Sequence, residues 1–254
     1  MKITLEGKTV LVGGASKGIG KSVAEHFAKA GARCILMARN YDALSKVHLS
    51  LVGEGHEVLV CDVTDHEDLR EKIKTKTVDI VVNNTGGPPG GPLLEASIED
   101  LQKAYDLHVK SSQIIAKNLV PTMNEKRWGR IINIISTSVK QPIPNLGVSN
   151  TIRGAMGNWS KTLATELGSF GITVNNILPG ATETERLSEL INKKAEKNNL
   201  AIEDVTQRMR KEIPSGRFAH PNEIAFGACF LASDKASYIN GVNLVIDGGR
   251  TASL

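Results

Sequence analysis

Val10-Leu11-Val12-Gly13-Gly14-Ala15-Ser16-Lys17-Gly18-Ile19-Gly20 runs into Val23, Ala24, Phe27 and Ala30 at helical spacing. Three consecutive apolar residues bounded by glycine read as a strand buried on both faces. The apolar residues that follow recur at the positions of one helix face. Between strand and helix, a glycine-rich turn lets the backbone come close to a pyrophosphate. The helix then supplies free N–H groups and the positive end of its dipole. Gly14, Ser16, Lys17, Gly18, Ile19 and Gly20 are therefore candidate dinucleotide-binding residues.

The same alternation continues along the chain. Thr9–Val12, Cys34–Met37, Val58–Val60, Asp79–Val82, Arg130–Ile135, Thr173–Leu178 and Leu244–Ile246 read as strands. Most are continuously apolar, as expected when helices cover both faces of a parallel sheet. Helical spacing fills the gaps, for example at Ile152, Met156, Trp159, Leu163 and Leu167. The pattern predicts an α/β fold, a Rossmann-type doubly wound parallel sheet forming a single domain over residues 1–254.

Two stretches break the alternation. Gly86-Gly87-Pro88-Pro89-Gly90-Gly91-Pro92 is neither helix nor interior strand, because proline lacks the donor and glycine lacks restraint. Glu183–Glu212, rich in Lys, Glu and Asn, reads as one or two solvated helices. An insertion at 183–212 after a sheet strand is expected to form a substrate lid, with a plain surface pair as the alternative.

Composition narrows the function classes. With 254 residues, 41% hydrophobic and 23% charged, the chain reads as globular rather than disordered. Its 31 Lys+Arg against 27 Asp+Glu leave +4, spread along the chain rather than blocked. That argues against a nucleic-acid partner and leaves an anionic small ligand compatible. Cys34, Cys61 and Cys229 lie far apart and form no CxxC pair, so neither a disulfide framework nor a metal site is indicated. Reduced thiols and a cytoplasmic location are expected. No apolar run approaches the roughly 18 residues of a membrane helix, and Met1–Glu6 lacks a signal peptide's apolar stretch, so no membrane partner is expected.

The second strand ends in Met37-Ala38-Arg39-Asn40. A ribose 2′-hydroxyl is usually held here by a carboxylate, whereas a 2′-phosphate needs a cation. No carboxylate stands at that end, and Arg39 and Lys17 favour NADP(H) over NAD(H), unless Arg39 is merely a solvated surface residue.

Gly14, Gly18 and Gly20, in that spacing, resemble the short-chain dehydrogenases/reductases, and the resemblance spans nearly the whole chain. Asp62-Val63 resembles the family's adenine-side contact, and Asn83-Asn84-Thr85-Gly86 its N-N-A-G motif with Thr85 in place of Ala. Ile131–Ser136 resembles the strand carrying the catalytic serine. Pro179-Gly180, with Thr182 and Thr184, resembles the segment that cradles the nicotinamide. Gly216-Arg217-Phe218 through Asp247-Gly248-Gly249 looks like the C-terminal segment of the 3-oxoacyl-acyl-carrier-protein reductase branch. The resemblance implies Arg39, Asn40, Asp62, Val63, Asn84, Thr85, Gly86, Arg153, Pro179, Gly180, Thr182 and Thr184 as cofactor contacts. It also implies a homo-oligomer, dimer or tetramer.

The catalytic positions depart from the family. Its chemistry rests on a Tyr, a Lys four residues later, a Ser about thirteen residues before the Tyr, and an Asn on a preceding helix. Counting from Ser136 places Ser149 at the Tyr position and Arg153 at the Lys position, and His108 stands where the family has Asn. A serine hydroxyl is a far weaker acid than tyrosine, and Arg153 stays protonated. His108, with a reference pKa of about 6.5, suits acid–base work near neutrality. It could serve in a His108–Ser149 or His108–water relay, or simply pack against the sheet with a backbone partner. The reading is an NADP(H)-dependent oxidoreductase interconverting a small-molecule carbonyl and alcohol by hydride transfer with a non-standard proton relay. Two alternatives stand beside it: a dinucleotide-binding sensor or scaffold without turnover, and a different reaction whose proton comes from water.

Overall fold

The computed structural model describes residues 3–253. Its strands are β1 (Thr9–Gly13), β2 (Arg33–Ala38), β3 (Glu57–Val60), β4 (Ile80–Asn84), β5 (Gly129–Ile134), β6 (Ile172–Pro179) and β7 (Asn243–Ile246). They form one parallel sheet in the order β3-β2-β1-β4-β5-β6-β7. The order reverses between β1 and β4, and the crevice beyond the carboxyl ends of those strands is where such sheets bind ligands. Each expected strand is present, with ends displaced by at most two residues.

The helices are α1 (Gly18–Lys29), α2 (Tyr41–Ser50), α3 (His66–Ile73), α4 (Ile98–Tyr105), α5 (Ser111–Lys126), α6 (Gly147–Leu167), α7 (Glu185–Asn198), α8 (Ile202–Lys211) and α9 (Pro221–Ala232). Successive strand residues face opposite sides, so each apolar run serves two cores. Val10 and Val12 pack with Phe27 of α1 and Ile224 of α9, while Leu11 packs with Leu69 of α3 and Leu119 of α5.

The largest boundary difference is β4, which runs on through Asn83 and Asn84. Asparagine is a poor strand former by itself. Here Asn83, Asn133, Asn176 and Asn243 are register partners on four adjacent strands. Each amide donates to the next, Asn83 to Asn133 at 2.8 Å, Asn133 to Asn176 at 3.0 Å and Asn176 to Asn243 at 2.8 Å. Buried amides satisfied in series cost little, and they fix the register of the strands they join.

The proline-glycine stretch lies across the start of α6. Gly91 N–H donates to the Asn145 carbonyl at 2.8 Å, and Gly147 N–H donates back to the Gly91 carbonyl at 3.0 Å. Residues 183–212 hold two helices, α7 and α8, around a small core of Leu187, Ile191, Val205 and Phe218.

Candidate active site

The glycine-rich turn is built by close backbone packing. Gly14 and Gly18 have φ of +58° and +55°, the left-handed region that favours glycine. A Cβ on Gly20 would stand 2.1 Å from the Gly14 carbonyl oxygen, so α1 seats directly on the turn. Asn84, at the end of β4, donates its amide to the Gly13 carbonyl at 3.1 Å and fixes the turn from the other side. No side chain caps the N-terminus of α1, and its first turn carries no acidic residue. Its leading N–H groups are thus left for an anion. These features fit a dinucleotide pyrophosphate.

At the end of β2 the expected contacts divide. Arg39 is well exposed, with the Asp62 carboxylate 3.7 Å away, and most of its fork faces solvent. Burial would raise the Asp62 carboxyl, but the Thr64 N–H and hydroxyl and the Arg39 charge outweigh it and hold it below its ordinary range. Val63 beside it is half-buried. Asn40 instead caps α2, accepting from Ala43 N–H at 2.9 Å, so its carbonyl oxygen is committed to the helix. Lys17 also differs from expectation, because its ammonium pairs with Glu185 at the start of α7 at 2.5 Å rather than standing free. Ser16 remains half-buried within the turn, and Ile19 packs against the main core.

On the far side of the crevice, Gly180 follows Pro179 at the end of β6, and a Cβ there would lie 2.7 Å from Asp247. The Thr182 hydroxyl donates to the Gly180 carbonyl at 3.1 Å. Thr184 caps α7, and its methyl would stand 3.2 Å from a Cβ on Gly18. Gly86 has open space where a side chain would be.

Two of the four expected catalytic residues meet in one place. Arg153 of α6 is buried, donates from Nη1 to the Ile134 carbonyl at 3.2 Å, and leaves Nε–H without a partner. No carboxylate pairs with it among the described residues, and burial pushes its guanidinium down to about 10. His108 sits on a π-helical turn, Asp106–Lys110, between α4 and α5. Such turns recur at functional sites because they re-aim one side chain. The His108 ring is buried, and its Nδ1 lies 2.6 Å from Thr85 Oγ1, not against Ser149 and not on a backbone group. Burial first, then the Arg153 charge, push its imidazole down to about 3. A ring so placed is held neutral near pH 7. Its Nε2 is also unpartnered. Thr85, His108, Ser112, Asn133 and Arg153 line one cavity of about 10 Å³.

Ser136 and Ser149 lie apart from that cavity's lining. Ser136 caps a short turn, Thr137–Val139, by accepting from Ser138 N–H at 3.1 Å. Ser138 is buried, and its hydroxyl has no partner. Ser149 is buried one helical turn before Arg153 on the same face of α6. A wider groove of about 500 Å³ is walled by Leu93, Pro142, Ile143, Pro144 and, from the start of α6, Asn150 and Thr151. Ser160 is fully buried and packed, donating to the Met156 carbonyl and accepting from Asn133.

Residues 14–251 match a family model described as enoyl-(acyl carrier protein) reductase. Gluconate 5-dehydrogenase of Gluconobacter oxydans is 31% identical over 99% of this chain and 97% of its own. The 3-oxoacyl-[acyl-carrier-protein] reductase of Vibrio cholerae is 33% identical over 97% of this chain and 98% of its own. The chain is a short-chain dehydrogenase/reductase. L-Sorbose reductase from Gluconobacter frateurii, solved with NADPH and L-sorbose, superposes on this dehydrogenase/reductase with a TM-score of 0.94 at 33% identity, each chain fully covered. The oxidoreductase class and the Rossmann-type single-domain fold follow from that membership.

Within this short-chain dehydrogenase/reductase, sequence reasoning missed two features. The asparagine ladder was hidden because its members lie on four different strands. The Thr85–His108 pair was hidden because each residue was read as a separate departure, although both were visible as such. No group of His, Cys, Asp and Glu suited to a metal occurs among the described residues, and none of their helices is long and apolar enough to cross a membrane.

Proposed function

We propose that this protein reduces a small carbonyl compound to the alcohol with NADPH, by a proton route that does not pass through tyrosine. The observation that carries the reading is the interlocked Gly14–Gly20 turn beneath an uncapped α1, in a fold that also holds a buried, unpaired Arg153. When bound, NADPH supplies the hydride. The α1 N-terminus, Gly14, Ser16 and Ile19 would hold the pyrophosphate side, and Arg39 the 2′-phosphate. Asp62 and Val63 would meet the adenine, and Asn84, Gly86, Arg153, Pro179, Gly180, Thr182 and Thr184 would surround the nicotinamide end. Ser136 and Ser149 would orient the carbonyl oxygen. The groove walled by Leu93, Ile143 and the Pro142 and Pro144 rings suits the substrate's remaining atoms.

The α7–α8 pair is read as a lid. Arg186 reaches the Pro88 carbonyl at 3.5 Å and Glu185 reaches Lys17, so the pair touches both walls of the crevice. A dimer or tetramer is supported by exposed Leu94, Ile98, Phe226 and Tyr238. Three buried free cysteines fit the reducing cytoplasm.

The test is a panel of ketones, aldehydes and alcohols followed by NADPH absorbance, with NADPH binding measured separately by calorimetry. Binding with turnover supports the proposal, and no binding at millimolar NADPH refutes it. Binding without turnover on any substrate would favour the sensor reading, to which the absence of a tyrosine beside Arg153 gives some support.

A further inference from the structure

Three departures from the family pattern, Thr85, His108 and Arg153, share one buried cavity. Arg153 offers only N–H donors to it, and its Nε–H has no protein partner. His108, whose Nε2 is its one unpartnered nitrogen, lines the same cavity. An Nε2–H would find no acceptor in the protein, whereas an Nδ1–H finds the Thr85 oxygen at 2.6 Å, so the proton resides on Nδ1 and Nε2 is left as an acceptor. That proton lies in the 2.6 Å contact to Thr85, so the Thr85 oxygen accepts and its own O–H is free to donate elsewhere. Thr85 follows β4 directly, at the crevice where the sheet order reverses, and is half-buried. Beyond it, Gly86 leaves open space.

We propose that the Thr85 hydroxyl is the proton donor to the substrate oxygen, and that His108 positions and resupplies it as a neutral relay. The idea rests on the carbonyl-reduction reading and specifies its proton route. As hydride reaches the carbonyl carbon, the Thr85 O–H bond breaks toward the substrate oxygen. The Nδ1–H proton of His108 passes to Thr85, and Nε2 takes a proton from a water molecule. The cavity that His108 lines is about the size of one water. The hydroxide that remains lies in that cavity, which Arg153 also lines, and His108 is left as the uncharged Nε2–H tautomer. The starting form returns when the hydroxide takes back the Nε2 proton, Nδ1 takes the Thr85 proton, and Thr85 is reprotonated from solvent in the crevice, so one solvent proton is consumed per alcohol. Arg153 is the one charged group among the cavity-lining residues. Asp106 and Lys110 pair with each other on the histidine's own turn, and the other polar residues lining the cavity, Asn83 of β4, Thr85 just beyond it, Asn133 of β5 and Ser112 of α5, are uncharged.

Two readouts test this. Thr85→Val should lower kcat at least about a hundredfold with NADPH affinity retained, and Thr85→Ser should restore most of it. Long-range proton–nitrogen NMR spectra of histidine-labelled protein should show His108 protonated on Nδ1 alone and not titrating between pH 5 and 8, with kcat free of any His108-linked break there. An unchanged kcat in Thr85→Val, an Nε2–H tautomer, or a His108 titration near pH 6.5 would overturn it. If the wild type binds NADPH but turns over nothing, the reduction reading falls and the relay with it. If the wild type turns over and Thr85→Val matches it, only the relay falls.

Discussion

His108 titrates in the unfolded chain near pH 6.5, but the folded protein holds it neutral down to about 3. Below pH 6.5 the unfolded state therefore takes up a proton that the native state refuses. Stability from this group is complete above pH 6.5 and is lost progressively as pH falls toward 3. At pH 5 the gap is one and a half units, and at about 1.4 kcal/mol per unit that amounts to about 2 kcal/mol. For a chain of this length such a loss lowers Tm by about 4–8 °C.

Other groups titrate over the same range, so the informative quantity is a double difference. Wild type and His108→Asn are unfolded in urea at pH 7.5 and pH 5.0. Asn keeps a polar group near Thr85 and cannot gain a proton. Wild type should lose about 2 kcal/mol more than the variant between the two pH values. Parallel losses would show that the imidazole charges freely in the native state. The desolvation by its surroundings and the opposition from Arg153 would then both be misread.

Gly20→Ala forces a methyl against the Gly14 carbonyl at 2.1 Å, so calorimetry should show NADPH affinity reduced at least about tenfold in a folded variant. Arg39→Asp removes the exposed cation and sets a carboxylate beside Asp62, so the NADPH/NADH affinity ratio should fall; an unchanged ratio would make Arg39 a surface residue only. Asn133→Leu cuts the amide ladder and leaves Asn83 and Asn176 without their buried partner, so urea unfolding should show a loss of about 2–5 kcal/mol.

How much of this was legible follows from the range over which each feature is encoded. The strands were legible because double burial makes a run such as Val10-Leu11-Val12 apolar without interruption. The glycine turn was legible because its cause is local: positive φ at Gly14 and Gly18 and the Gly14–Gly20 contact all lie within one short segment. The extension of β4 through Asn83 was not, because what makes asparagine acceptable there is a partner on β5 fifty residues away. Lys17 looked like a free cation because its carboxylate partner, Glu185, is 168 residues distant and reaches it only through the fold. Asn40 carries a local role the cofactor reading did not include, since its side-chain oxygen caps α2 at Ala43.

The site's departures gain meaning when taken as one unit. An unpaired buried guanidinium costs folding free energy, and no carboxylate offsets it here. Its charge adds to burial in keeping the imidazole at position 108 neutral, and the proposed Nδ1–H tautomer sets the ring's pose. A neutral ring in that pose needs an acceptor for its other nitrogen. The family's alanine could not provide one, whereas the Thr85 hydroxyl does, at 2.6 Å. Arginine, histidine and threonine thus each supply what another requires. An apolar residue of similar length at 153 would relieve the charge penalty and would ask nothing of 85 or 108. The charge is nonetheless held in the cavity that Thr85 and His108 line, and the proposed tautomer leaves the Thr85 hydroxyl free to donate. A passive nucleotide cradle can use the Arg153 charge but has no need of a free Thr85 hydroxyl. That is the physical ground for preferring turnover to binding alone.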